Sequence, residues 1–381
     1  MMKTSKKFRS LLCAAALVLT LVPAGAAAEA EDLDFSKSDY NNVADEPEDA
    51  VITLEGDRGT LSDETRGRSG NPVVIERKGV YRVTGSADGV TIRIKEPKKS
   101  GNIYLVLEDV TMTNADGPCI ESKAAEQTIV QCVGENRLVS LSDDGAALYS
   151  EDDLTVNGPG SLEIEAGDNG IQCKSVLRIT GSTLTVRAGN NGLKGKTGFL
   201  MDGGIVTVTE SYEGVEAGHI EIRGGELNVT ASDDGLNAAA KDDRQGDVVI
   251  SGGRITIDAR GDAIDSNRAI LVTGGTTLVE GPANSRNSIF DKGDTDDSRL
   301  SISGGTVLAI GSAEKAKNFK HGTQYSRLET VAGQAGDVIT TDDGSGVSLT
   351  ATREFGCVIY SSPSFTPENN IQILSPAEQP G

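Results

Sequence analysis

The pattern apolar-x-apolar-x-Gly-Gly-x-apolar-x-apolar recurs along the chain and constrains its fold more than any other feature. It reads LRITGSTLTVRA at 177–188, FLMDGGIVTVTE at 199–210, IEIRGGELNVTA at 220–231, VVISGGRITIDA at 248–259, ILVTGGTTLVEG at 270–281 and LSISGGTVLAIG at 300–311. Each copy holds two short strands with period-two alternation, joined at a Gly-centred bend. Glycine takes positive φ there without a Cβ clash.

Between the copies stands a second element, a small residue followed by an aliphatic one. The pairs are Cys119-Ile120, Ala147-Leu148, Gly170-Ile171, Gly192-Leu193, Gly214-Val215, Gly235-Leu236, Ala263-Ile264 and Ser288-Ile289, spaced 28, 23, 22, 22, 21, 28 and 25 residues apart. A step near 22 holds three short strands and three turns, one coil of a parallel β-helix. Ile120, Leu148, Ile171, Leu193, Val215, Leu236 and Ile264 then form an inward aliphatic ladder. Two positions on, Ser122, Ser150, Cys173, Gly195, Ala217, Ala238 and Ser266 form a small inward ladder. Glu121, Tyr149, Gln172, Lys194, Glu216, Asn237 and Asp265 lie between them and face out. Such alternation is what a strand buried on one face requires.

The expected fold is therefore all-β, a right-handed parallel β-helix with N- and C-terminal caps. Gly is 46 of 381 residues, against roughly 7% in ordinary chains, and no 3.6-residue period persists, which excludes amphipathic helices. Propeller blades repeat at about 40–50 residues rather than 22. Residues 51–116 read as first coils plus a cap, because an open solenoid end exposes strand edges. Residues 312–360 break the repeat and read as the second cap. The β-helix domain is placed at 51–365, with 29–50 a solvated acidic linker and 366–381 a flexible tail.

Lys3, Lys6, Lys7 and Arg9 precede the apolar run Leu11–Val22 and the small residues Ala24 to Ala28. This reads as a secretory signal peptide over 1–28, and a secreted protein is expected. No later segment is apolar for long enough to span a bilayer. Without 1–28 the balance is 32 basic to 57 acidic residues, net −25. Such a surface repels nucleic acid. It also repels acidic sugar polymers unless cations intervene. Cys119, Cys132, Cys173 and Cys357 match no zinc or haem spacing. A Cys119–Cys132 disulfide is one option, and Cys173 reads as a small core residue.

Acids concentrate on three consecutive coils: Glu213 with Glu216, Asp233-Asp234 with Asn237, and Asp262 with Asp265. Coils stack about 4.8 Å apart. At that distance two carboxylates repel by about 3.5 kcal/mol at an effective dielectric near 20. A bound cation removes the penalty. All-oxygen donors without His or thiolate favour a hard ion, and loose multidentate supply favours Ca²⁺ over Mg²⁺. The alternative is a solvated turn face, since Asp and Asn favour turns. Asp291, Asp294, Asp296 and Asp297 form a second acidic cluster without an EF-hand pattern. Lys194 and Lys196, one coil before Glu213, could serve as a general base beside calcium, or simply balance charge. His219 and His321, the two histidines, lack a nucleophile-elbow partner.

The run from Gly145 to Glu210, continuing through SDDGLNAAA and GDAIDSNRAILVTGG, resembles a clostridial family of secreted carbohydrate-binding β-helix proteins. GVYRVTGS and DVITTDDGSG fit it too, so the resemblance covers about residues 50–365. It implies bound calcium, affinity for cellulose- or polygalacturonate-type polymers, and likeness to calcium-dependent pectate lyases. The family's acidic positions fall on Glu213, Glu216, Asp234 and Asp262. The chain departs at Ala263, where Gly is usual, and at Asn169 and Asn191, where acids often stand, so the implied calcium does not extend to the earlier coils.

Three functions remain open from sequence. The first is non-catalytic binding of an acidic plant cell-wall or bacterial polysaccharide, a uronate carboxylate bridging through calcium. The second is a polysaccharide lyase using Lys194 or Lys196. The third is a structural or adhesive cell-surface β-helix. With no Trp, a broad aromatic platform for crystalline cellulose is not expected.

Overall fold

The computed structural model describes residues 33–97, 100–240 and 246–378. The signal-type segment 1–28 lies outside them, as do 29–32 and 379–381. The described chain is a parallel β-solenoid of about eight turns. No described helix is long and apolar enough to cross a membrane.

One face of the solenoid is an 11-stranded sheet that takes one strand from each successive coil. Its register is the ladder read from the sequence: Ile120 pairs with Leu148, Leu148 with Ile171, Ile171 with Leu193, Leu193 with Val215, Val215 with Leu236 and Leu236 with Ile264. Every one of these side chains is fully buried, each worth about 1.5–3 kcal/mol of transfer free energy. Cys173 lies in the small inward ladder, equally buried. The ladder also extends upstream through Ile92 and Val73. Downstream the register differs by one residue from expectation. Phe290, not Ile289, stacks on Ile264, so Asp291 falls beside Asp265. The longer 262–288 connection hid that shift.

The two strands of each Gly-Gly segment belong to an 18-stranded sheet that forms the other walls. The second glycine of each pair takes positive φ, from 74° at Gly275 to 82° at Gly225. In the copy at 177–188 Ser182 does the same, at 68°. A Cβ on Gly225 would lie 2.8 Å from the Gly204 carbonyl oxygen of the coil below, so the column needs glycine for stacking as well as for conformation.

The ends are capped. Ala50–Gly56 forms an antiparallel hairpin with Arg58–Leu61 before the first full coil. At the other end Leu300–Gly311 pairs antiparallel with Phe355–Ser361, which in turn pairs with Arg327–Gly333.

Two stretches differ from expectation. Residues 33–49 are not a solvated linker: they lie against the outside of the strands Gln127–Val133, Asp153–Asn157 and Val176–Ile179. Asp39 is fully buried there, accepting from Gln127 Nε2 at 2.6 Å and from the Thr155 hydroxyl. Asn157 Nδ2 donates to the Asp39 carbonyl at 3.0 Å. Other acids of this strap meet arginines distant in sequence: Asp34 pairs with Arg223 at 2.6 Å and Glu48 approaches Arg82 at 3.7 Å. A local reading sees only acids without aliphatics, because their partners lie tens of residues away. Nor is 366–378 a flexible tail. Ile371–Leu374 pairs antiparallel with Val338–Thr341 and helps cover a second apolar cluster around Ile339, Phe355 and Tyr360. Cys119, Cys132, Cys173 and Cys357 are all free and buried, so no Cys119–Cys132 disulfide forms. Burial pushes the Cys119, Cys132 and Cys173 thiols up to about 12.

Candidate functional site

The 11-stranded sheet stacks equivalent residues of successive coils in columns. In one column, two residues before the aliphatic ladder, stand Asn169, Asn191, Glu213, Asp234, Asp262 and Ser288. The outward column runs Arg93, Glu121, Tyr149, Gln172, Lys194, Glu216, Asn237, Asp265 and Asp291.

The first column does a structural job. At Asn169, Asp234 and Asp262 the side chain reaches one coil on and accepts a backbone N–H. Asn169 Oδ1 accepts from Asn191 N at 3.3 Å, Asp234 Oδ1 from Asp262 N at 2.7 Å, and Asp262 Oδ1 from Ser288 N. A neutral amide performs this role at Asn169, which is buried, while the buried Asn191 amide donates to Glu216 Oε2. The later coils use carboxylates.

Asp234, Asp262 and Asp265 converge, each offering an oxygen, with these atoms within 4.8 Å of one another. Half-burial raises the Asp234 carboxyl to about 7, and the neighbouring Asp233, Asp262 and Asp265 charges push the same way. Burial, with Asp262 and Asp291, raises Asp265 to about 6. Asp262 is raised as well, chiefly by burial. Three carboxylates that disfavour their own charged state and share one locus suit a hard cation.

Glu213 extends this locus. Its Oε1 accepts from Asn237 Nδ2 at 3.2 Å, whereas Oε2 is buried with no hydrogen-bond partner. Burial first, then the Glu216 charge, raises its carboxyl. An orphaned buried carboxylate oxygen is costly, and a cation bound beside it would satisfy it.

Glu216 stands differently. Lys194 Nζ lies 2.5 Å from its Oε2, and Asn191 Nδ2 donates to the same oxygen at 2.8 Å. Its charge is already balanced. Lys194 is thereby ion-paired to Glu216, while Lys196 is exposed just beyond the end of the strand. Asp233 sits at the turn, its side chain toward Tyr212. Gly261 leaves open the space that Asp233 and Asp234 face; a Cβ there would lie 2.4 Å from an oxygen of each. The second acidic cluster does not assemble. Asp291 is on the ladder and pairs with Lys317 at 2.6 Å, whereas Asp294, Asp296 and Asp297 are exposed in the following turn. His219 approaches Glu221 at 3.9 Å, and His321 bridges to Ser301 in the C-terminal region. Neither joins the carboxylates.

A family described as carbohydrate-binding domain-containing protein matches residues 69–240 and again 213–344. A carbohydrate-binding domain-containing protein of Acetivibrio thermocellus is 29% identical over 126 residues, which is 30% of this chain. The chain spans 44% of that relative's length. Among solved structures, a polysaccharide lyase-like protein from C. thermocellum, described as a gadolinium derivative, superposes with a TM-score of 0.51 at 28% identity, covering 67% of this chain and 96% of that one.

Proposed function

The chain belongs to the family of carbohydrate-binding domain-containing proteins, and from that premise we propose that it binds acidic polysaccharide through a calcium ion held on the late coils. The observation that carries this reading is the change from amide to carboxylate in one column. Asn169 shows that the structural bond to the next coil needs no charge. Asp234 and Asp262 make the same bond and bring, with Asp265, three mutually repelling carboxylates to one place. That cost is without return unless a cation is bound.

Asp234, Asp262 and Asp265 would hold the ion, with Glu213 through its orphaned oxygen, and Asn237 beside them. Calcium takes six to eight oxygens, more than a triad need supply, so a uronate carboxylate can complete the shell. The bridge reconciles a net-acidic protein with an acidic ligand. The N-terminal signal-type segment supports an extracellular setting.

The test is retention on immobilised polygalacturonate in calcium and in chelator. Calcium-dependent retention without turnover supports the reading. A product absorbing in the ultraviolet would establish lyase activity instead. Calcium-dependent stability with no retention would leave a structural or adhesive role.

A further inference from the structure

Seven tyrosines and no tryptophan leave this chain few flat surfaces. Tyr81 and Tyr360 are buried in the core, and the half-buried Tyr104 accepts from Asn41 Nδ2 at 3.3 Å. Tyr149 carries Lys123 over its ring at 4.8 Å. Tyr40 donates to Asp202 and lies 5.6 Å from the Phe35 ring. Tyr325 stacks on Phe365 at 5.8 Å, with Arg327 beside it. Tyr212 is different. It is 50% exposed, and among the described residues no aromatic ring or cation is placed against it.

Its position is specific. The backbone stacks Asp168, Asn190, Tyr212 and Asp233 in one turn column, each N–H donating to the carbonyl one coil back. Tyr212 is therefore one coil, about 4.8 Å, before Asp233-Asp234 and two before Asp262. The Asp233 carboxylate of the next coil lies beside it, and half of the residue is open to solvent. Polar groups flank it: Asn190 on the coil before, tied to Asp168 at 2.9 Å, and Asp233 on the coil after. An exposed ring with a polar margin matches a pyranose, which offers a C–H face rimmed by hydroxyls.

We propose that Tyr212 is a stacking platform for one sugar of the bound polymer, next to the sugar whose carboxylate meets the ion. This rests on the uronate-binding reading and adds a residue that sets where and how the polymer lies. Sequence reading passed over Tyr212 because a lone aromatic in a turn column carries no periodic signal.

The experiment compares wild type, Tyr212→Ala and Tyr212→Phe on immobilised polygalacturonate in calcium, with melting measured with and without calcium. Tyr212→Ala should bind about tenfold more weakly, the size of one good ring contact. Tyr212→Phe should stay within about twofold, and the calcium-dependent rise in melting temperature should be the same in all three. Equal binding by Tyr212→Ala and wild type overturns the platform and leaves the uronate reading intact. A smaller calcium rise in Tyr212→Ala also overturns it, because the residue then acts through the ion site. If wild type is not retained in calcium, the uronate reading fails and the platform with it.

Discussion

The early and late coils of the open sheet share a backbone, a register and a buried ladder, yet treat their polar column in opposite ways. In the early coils the Asn169 amide does the bridging, and Glu121, Glu151 and Glu216 each have a cation. Arg93 lies 2.5 Å from Glu121, Lys174 3.3 Å from Glu151, and Lys194 2.5 Å from Glu216. In the late coils Asp234, Asp262 and Asp265 face one another. The difference shows that the charge is not demanded by the fold. A β-helix can stack at this position with asparagine, so the aspartates answer to something besides stacking.

The sharpest way to break this contrast is to make an early coil look like a late one without its surroundings. Asn191→Asp removes the donor to Glu216 and buries a carboxylate beside it. With chelator present, chemical denaturation should show a loss of about 3–5 kcal/mol. A loss under about 1 kcal/mol would mean that early coils tolerate charge as well as late ones do.

Calcium addition comes next. An ion that binds only the folded state at a hundredfold excess over its Kd stabilises by about 2.7 kcal/mol. The melting temperature should rise with calcium and fall back with chelator; identical melts would remove the ion from the site. Asp265→Asn and Asp234→Asn should each reduce that rise. In chelator they should leave the protein as stable as wild type or about 1–3 kcal/mol more so, because a repulsion is relieved. Marked destabilisation in chelator would instead assign these aspartates a structural role.

Protons offer a finer probe. The late-coil carboxyls are raised in the folded state, Asp265 to about 6 and Asp234 to about 7. The folded protein therefore holds more protons than the unfolded chain between about pH 4 and 7. The stability they contribute is full below their ordinary range, near pH 4, and is lost as pH rises through 6 to 7. In chelator, wild type should lose stability across that window relative to Asp265→Asn, and calcium should flatten the difference. The opposite slope would contradict the burial and repulsion assigned to the triad. The smallest effect belongs to Lys194→Gln. Its half-exposed pair with Glu216 is worth about 0–1 kcal/mol, and the calcium response should be unchanged if Glu216 lies outside the ion site.

Much of this architecture was legible because a solenoid writes tertiary contacts into sequence periodicity. Ile120 to Ile264 could be aligned from spacing alone, since each coil meets the next coil at a nearly constant offset. The same logic put Asp234, Asp262 and Asp265 together. It failed where the offset changed, at Phe290, and where contacts skip coils, as with the strap around Asp39. It also could not divide the acids into ion-paired and unpaired ones. Glu213 and Glu216 look alike in the pattern, but Glu213 keeps a buried orphaned oxygen whereas Lys194 satisfies Glu216.

The sequence by itself determined the parallel coil, the inward ladders and the concentration of oxygen ligands on one face, because strand alternation and Gly-centred bends are local and repeat. Tertiary structure alone decided which carboxylates are neutralised, where 33–49 docks and which tyrosine stands open. Those outcomes depend on side-chain reach and burial between coils, and a few ångströms separate an ion pair from a set of facing carboxylates.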